Sequence, residues 1–214
     1  MEVTEGLITI VGCGPGSLDY VTRAAQKAVA RADVLVGAQR LLDLFPASPA
    51  ERVVVRGKIA EALDAVEARY RSRSVAVLVT GDPGLFSLAG LVIKRFGRNR
   101  CRVIPGISSI QAAFAQIGLD WADARIVSAH KQDPEPDPSL RSADKIAVLG
   151  GREESLKWIA DHLLMDSDVD RRIFVMENLT LDNETVREAG RDELATLAVV
   201  PSTVVVIVRA GLLE

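Results

Sequence analysis

Aromatic residues are scarce in this chain, with two Trp, two Tyr and five Phe among 214 residues. Its core must therefore be built from Val, Leu, Ile and Ala, which suits parallel strands covered by helices on both faces. Cysteine is nearly absent too. Cys13 and Cys101 lie far apart with no Cys-x-x-Cys spacing, which argues against a disulfide framework and points to a reducing, cytoplasmic location. No apolar run approaches the roughly 18–20 residues needed to span a bilayer. The start, Met1-Glu2-Val3-Thr4-Glu5, is acidic and lacks the basic region of a secretory signal. A basic excess is missing as well: 26 Lys and Arg face 29 Asp and Glu, a net charge of −3. That speaks against a nucleic-acid partner. The two histidines, His130 and His162, are too isolated to argue for a metal.

What remains is an ordinary globular composition, 48% hydrophobic and 26% charged. Short aliphatic runs alternate with longer helical patterns, the signature of α/β architecture. Strands are predicted at Leu7–Val11, Val34–Val36, Val53–Val55, Val75–Thr80 and Arg102–Ile104. Helices are predicted at Tyr20–Ala32, Lys58–Tyr70, Phe86–Phe96 and Ser108–Ile117, with Gly97 as a left-handed helix stop. Further strands are read at Ile126–Val127, Ile146–Leu149, Ile173–Met176 and Val204–Val208, and a helix at Glu153–Leu164. Gln132–Ser139, rich in Pro and Asp, reads as a solvated loop. The lobe boundary is expected at Asp120–Ala124, giving an N-terminal α/β lobe of residues 1–121 and a C-terminal α/β lobe of residues 122–214. A ligand is expected in a cleft between them.

Three Gly-rich loops follow predicted strands. The first, Gly12-Cys13-Gly14-Pro15-Gly16-Ser17, competes with the dinucleotide fingerprint Gly-x-Gly-x-x-Gly. It fails on detail. The third glycine would fall at Ser17, Pro15 alters the turn, and Asp33 precedes the second strand instead of following it. The second loop is Thr80-Gly81-Asp82-Pro83-Gly84-Leu85, and turn formation alone explains those residue types. The third is Pro105-Gly106-Ile107-Ser108-Ser109-Ile110, where helix capping suffices for Ser108. As a set, however, three loops after three strands of one sheet converge on one edge, where α/β sheets bind ligands.

In this order the loops resemble the three signature loops of the tetrapyrrole methylases. Ala32-Asp33-Val34-Leu35-Val36-Gly37-Ala38-Gln39-Arg40-Leu41-Leu42, Ser128-Ala129-His130 and Glu177-Asn178-Leu179-Thr180 resemble that family's cobalt-precorrin-7 (precorrin-6Y) C5-methyltransferase branch, over about Leu7 to Val208. The resemblance implies a two-lobe tetrapyrrole methylase fold, usually a homodimer, holding S-adenosyl-L-methionine between the lobes. By motif position Gly14, Pro15, Gly81, Asp82, Leu85, Ser109 and Ile110 would contact the cofactor, with Leu149 and Asn178 from the second lobe. The substrate implied is a corrin precursor of cobalamin biosynthesis, methylated at C5 with or without cobalt. Two positions depart from the branch. Gly84 stands where a bulkier residue is common, and Lys131-Gln132-Asp133-Pro134-Glu135-Pro136 follows His130 where Gly-Arg is usual.

A substrate rich in carboxylates calls for local cations, for which Arg40, Lys58 and Lys131 are the candidates, with His130 at a strand end beside them. No catalytic residue is identified. Methyl transfer from a sulfonium needs alignment more than acid–base chemistry, and no Ser–His–Asp or Cys–His pattern is present. Because the chain ends at Glu214, one methyl transfer is expected, with C15 methylation and decarboxylation left to a separate enzyme. Two other functions compete: another tetrapyrrole methylase, such as one acting on uroporphyrinogen, and a non-catalytic nucleotide-binding regulatory module. Asp166-x-Asp168-x-Asp170 with Glu177 mimics a calcium loop, but Arg171 stands where that loop needs Gly. Gly57-Lys58 lacks the flanking residues of a phosphate loop.

Overall fold

A computed structural model describes residues 7–164 and 169–214. Met1–Glu5 and the Asp166 and Asp168 positions of the calcium-like pattern lie outside the described residues. The chain divides into two compact units, one through Ser108 and one from Ser109 onward, each with its own five-stranded sheet.

The first unit is a doubly wound parallel sheet. Its elements run β1 (Ile8–Gly12), α1 (Arg23–Ala30), β2 (Val34–Gly37), α2 (Gln39–Leu42), β3 (Glu51–Val54), α3 (Ile59–Glu67), β4 (Val75–Val79), α4 (Ala89–Phe96) and β5 (Cys101–Ile104). The strand order is β3-β2-β4-β1-β5, all parallel. Successive residues of a strand point to opposite faces, so both faces of these aliphatic runs need cover. Val34, Val36, Val75 and Val77 pack with Ala62, Val66, Val92 and Phe96 of α3 and α4. Leu35, Ala76 and Leu78 pack with Ala25, Val29, Leu41 and Leu42 of α1 and α2.

The helices are shorter than their patterns suggest. Thr22 caps α1, its Oγ1 accepting from the Ala25 N–H at 3.1 Å, so Tyr20 falls in a preceding 3₁₀ turn. Phe86 lies outside α4 with a positive φ of 45°. Gly97 ends α4 at φ 86° and ψ 149°. This positive-φ extended conformation is open to glycine, and it replaces the expected left-handed helical stop.

The second unit comprises α5 (Ser109–Gln116), β6 (Arg125–Ser128), β7 (Lys145–Leu149), α6 (Glu153–His162), β8 (Arg171–Glu177), β9 (Thr185–Glu188), α7 (Arg191–Leu194) and β10 (Val204–Arg209). Its order is β6-β7-β10-β8-β9. Only β6 and β7 are parallel; the other neighbours are antiparallel. Parallel pairing thus runs through the whole first sheet and through one pair of the second. A run such as Val204–Val208 is buried on both faces and reads the same in either direction. The β9 edge strand, Thr-Val-Arg-Glu, is mostly exposed and carries no aliphatic run to reveal it.

The strands of the two sheets fall on either side of Asp120–Ala124. The compact units themselves part at Ser108/Ser109, because α5 packs on β10. The connector after α5 is held by Lys145, which is buried. Its Nζ donates to Asp120 Oδ2 at 2.8 Å and to Asp123 Oδ1 at 2.7 Å. The bond from Lys145 holds the Asp120 carboxyl below its ordinary value of 3.8. A carboxyl depressed by folding stabilises the fold above its unfolded pKa, and that contribution disappears as pH falls through the lower folded value. Asp120→Asn should therefore flatten the loss of melting temperature below about pH 4, as read by thermal unfolding from pH 7 to pH 2. An unchanged acid limb would show that the pair does not couple to folding.

Candidate functional site

All five strands of the first sheet run the same way, so the loops that follow them gather at one edge. There the three Gly-rich segments lock together through backbone. The Cys13 N–H donates to the Val79 carbonyl at 2.9 Å and the Gly81 N–H to the Gly14 carbonyl at 2.8 Å, joining the loops after β1 and β4. The Asp82 carboxylate joins the loops after β4 and β5: Oδ1 accepts from the Gly84 N–H at 2.7 Å, Oδ2 from the Gly106 N–H at 3.1 Å.

Side chains have no room at this junction. A Cβ on Gly12 would stand 2.6 Å from the Gly106 nitrogen and 2.8 Å from the Gly81 carbonyl oxygen, and one on Gly106 would collide with that same oxygen. Real Cβ atoms do not approach backbone this closely. Gly14 and Gly81 add positive φ values of 74° and 65°, which glycine adopts without a steric penalty. Gly84 is now explained as well. A Cβ there would stand 2.9 Å from Asp82 Oδ1, so a larger residue would press on the carboxylate that accepts from the Gly84 N–H.

Of the predicted cofactor residues in this unit, Gly14, Gly81 and Asp82 meet at the junction, with Pro15 and Leu85 half-buried in the same loops. Sequence reasoning missed the role of Asp82 as a strut between loops, since nothing in a local motif says that its oxygens reach Gly84 and Gly106. Arg40 also comes to this edge. Its guanidinium donates to the Thr80 hydroxyl beside Cys13, and desolvation holds it below the ordinary arginine pKa. No carboxylate pairs with it among the described residues. Burial pushes the Cys13 thiol up to about 12, so this cysteine stays protonated and is no nucleophile. Lys58 follows the outer strand β3, is well exposed and pairs with Glu61 at 3.2 Å; it is not brought to the junction. Asp33 lies at the opposite edge, where its Oδ2 accepts from Ser74 N and Oγ at 2.8 and 2.7 Å, no place for a ribose-binding acid.

The second sheet also has one edge that collects predicted residues. The parallel strands β6 and β7 end together at Ser128 and Leu149. The antiparallel partner β10 starts at Val204 opposite Leu149, and β8 ends beside it. Leu149, Asn178, His130 and Lys131 therefore share that edge. Asn178 holds a positive φ of 53°, and its Oδ1 accepts from the Ser202 hydroxyl at 2.6 Å. Ser109 opens α5 half-buried, whereas the Ile110 side chain is 1% exposed and packs inside. Lys131 is exposed on the loop after His130.

The model of the family described as Tetrapyrrole (Corrin/Porphyrin) Methylases matches residues 7–195, a stretch that contains the whole junction. The chain belongs to this family. A curated relative, the cobalt-precorrin-7 C(5)-methyltransferase of Salmonella typhimurium, is 32% identical over 180 residues, covering 84% of this chain and 89% of that protein. Among solved structures, the cobalamin biosynthesis precorrin-6Y methylase of Archaeoglobus fulgidus matches with a TM-score of 0.74 and 25% identity, over 95% of this chain and 98% of that one. The Thermus thermophilus uroporphyrin-III C-methyltransferase, solved with S-adenosyl homocysteine, also matches at TM-score 0.74 and 25% identity, over 95% and 92%. This tetrapyrrole methylase is thus an enzyme, a C-methyltransferase. Nothing in the comparisons supports a non-catalytic nucleotide-binding module.

The junction makes a sharp stability prediction for this tetrapyrrole methylase. Gly12→Ala and Gly106→Ala should each destabilise the fold by about 1–3 kcal/mol or more, the cost of overpacking where backbone itself must move. Gly90→Ala is the control: a Cβ there meets nothing within 4 Å and φ is not positive, so it should be neutral or stabilise by up to about 1 kcal/mol. Urea unfolding of the three variants decides it, and equal stabilities would mean the junction has slack.

Proposed function

We propose that this methylase transfers a methyl group from S-adenosyl-L-methionine to C5 of cobalt-precorrin-7, or of its cobalt-free counterpart, in cobalamin biosynthesis. The observation that carries the reading is the three-loop junction within a chain 32% identical to an enzyme of that name. Uroporphyrinogen as substrate is the weaker reading, since the curated relatives that match at 30–32% identity over most of the chain carry the cobalt-precorrin-7 name.

The cofactor suits the residues present. Gly14 and Gly81 bring the loops after β1 and β4 together through backbone, Pro15 and Leu85 offer half-buried apolar surface beside them, and Asp82 holds the loops in place. Ser109, Ile110, Leu149 and Asn178 are the contacts we assign to the second unit, Ile110 through its backbone because its side chain is buried. When bound, the cofactor supplies a methyl group on a sulfonium, and the chain's task is to align it with the ring carbon. Arg40 is the best of the basic candidates for a substrate carboxylate, being held at this edge by Thr80 and without an acidic partner among the described residues. Lys131 adds an exposed charge, and Lys58 is the weakest of the three. No helix among the described residues is long and apolar enough to cross a membrane, in keeping with work in the cytoplasm. A homodimer is part of the reading, as is a separate enzyme for C15.

Calorimetry should find one S-adenosyl homocysteine bound per subunit, with no appreciable binding of NAD or ATP. Gly81→Val should abolish that binding, whereas Ser109→Ala should weaken it by roughly tenfold or less, the worth of one hydrogen bond. Incubation with cobalt-precorrin-7 and S-adenosylmethionine should add one methyl at C5, seen by mass spectrometry and carbon-13 NMR. Arg40→Ala should raise the KM for the tetrapyrrole and leave cofactor affinity unchanged. Preferential binding of NAD, or methylation of uroporphyrinogen alone, would overturn the assignment.

A further inference from the structure

Transfer of a methyl group from a sulfonium to a neutral ring moves one positive charge onto the ring. A proton must leave for the ring to return to neutrality. The sequence names no group to receive it.

We propose that His130 is that proton acceptor, through Nε2; the inference rests on the methyl transfer assigned above. The imidazole is seated by backbone. Its Nδ1 lies 2.9 Å from the Gly150 carbonyl oxygen. A carbonyl only accepts, so Nδ1 carries the proton and the neutral ring keeps its lone pair on Nε2. The side chain is exposed, and Nε2 has no partner among the described residues.

The surrounding loops are shaped for this seat. The Ala129 N–H donates to the Leu149 carbonyl at 2.8 Å, binding the two strand ends together. Arg152 clamps the segment further, its Nε donating to the Ala129 carbonyl at 3.0 Å and its Nη2 to Asp133 Oδ1 at 2.6 Å. Asp133 belongs to the very stretch that departs from the related branch. Gly151 has φ 111°, and a Cβ there would stand 2.9 Å from His130 Nδ1 and 2.5 Å from the Pro201 carbonyl oxygen. Only glycine leaves space for the ring.

Two acids near this edge already have partners. Asp133 is paired with Arg152, and Glu177 accepts from the Thr185 hydroxyl at 3.3 Å. Lys131 has no lone pair to offer as a cation. The Cys13 thiol is buried and protonated. His130 pairs a fixed tautomer with an open acceptor, on the edge that also carries Leu149 and Asn178.

The step balances as follows. The ring carbon forms its bond to the methyl as the methyl–sulfur bond breaks, and the sulfur keeps that electron pair. Positive charge passes to the ring, a ring proton moves to Nε2, and its C–H pair restores the conjugated system. The Nδ1–H bond to Gly150 steadies the imidazolium, which then loses its proton to solvent.

Two measurements test this. In nitrogen-15 NMR of the wild-type chain, at a pH where His130 is neutral, the proton should be on Nδ1; a proton on Nε2 overturns the proposal without any assay. His130→Asn keeps a donor for the Gly150 carbonyl and removes the base. It should bind S-adenosyl homocysteine as wild type does and hold KM, while kcat falls on the order of 10²–10⁴-fold. His130→Ala should regain rate with added imidazole. Wild-type kcat in His130→Asn, or His130→Ala indifferent to imidazole, overturns the role of His130. A wild-type chain that methylates no precorrin overturns the functional reading instead, a result distinct from both.

Discussion

The structure turns on a place where three backbones touch and no side chain fits. Gly12, Gly81 and Gly106 sit at the ends of β1, β4 and β5, so close that a single methyl group on Gly12 or Gly106 would overlap main chain. Two backbone hydrogen bonds, from Cys13 to Val79 and from Gly81 to Gly14, and one carboxylate, Asp82, hold the three loops in register. The parallel sheet makes this possible, since only strands running the same way deliver their following loops to one edge. Strand ends of this kind are where α/β sheets generally bind small ligands, and the cofactor site proposed above lies at this edge.

The second sheet reaches a similar result by another route. Its strands are mixed in direction, yet β6, β7 and β8 end at one edge because β10 runs against its two neighbours there. Irregular backbone marks this edge, with Asn178 at φ 53°, Thr180 at φ 72° and Gly151 at φ 111°. Non-glycine residues held at positive φ carry strain of about 1–3 kcal/mol each, and such strain concentrates where a site must be positioned. Here the ends of the strands are tied to one another through Leu149, Gly150 and Thr203, so the strained residues rest on a rigid frame.

Much of this was legible in the residues, and the rest had identifiable reasons to be hidden. The aliphatic runs and their Gly-rich punctuation revealed the first sheet and its three loops, because burial and turn chemistry are written locally. Strand direction in the second sheet was not, since Val204–Val208 and Ile173–Met176 carry no mark of which neighbour they join. The edge strand Thr185–Glu188 was missed because its polar residues face solvent. Arg40 was picked by its place near a strand end and does reach the junction. Lys58 was picked the same way, but follows the outermost strand and pairs with Glu61. The roles of Asp82 and Gly84 depend on atoms 24 and two residues away in sequence, and only the folded chain brings those partners together.

The position of the bound cofactor decides whether the three-loop junction is its site. A crystal structure of the chain grown with S-adenosyl homocysteine should show the ligand against the backbone of the loops after β1, β4 and β5, with Gly14 and Gly81 in contact and the Asp82 strut intact. A ligand bound away from these loops, with the junction left unvisited, would contradict it.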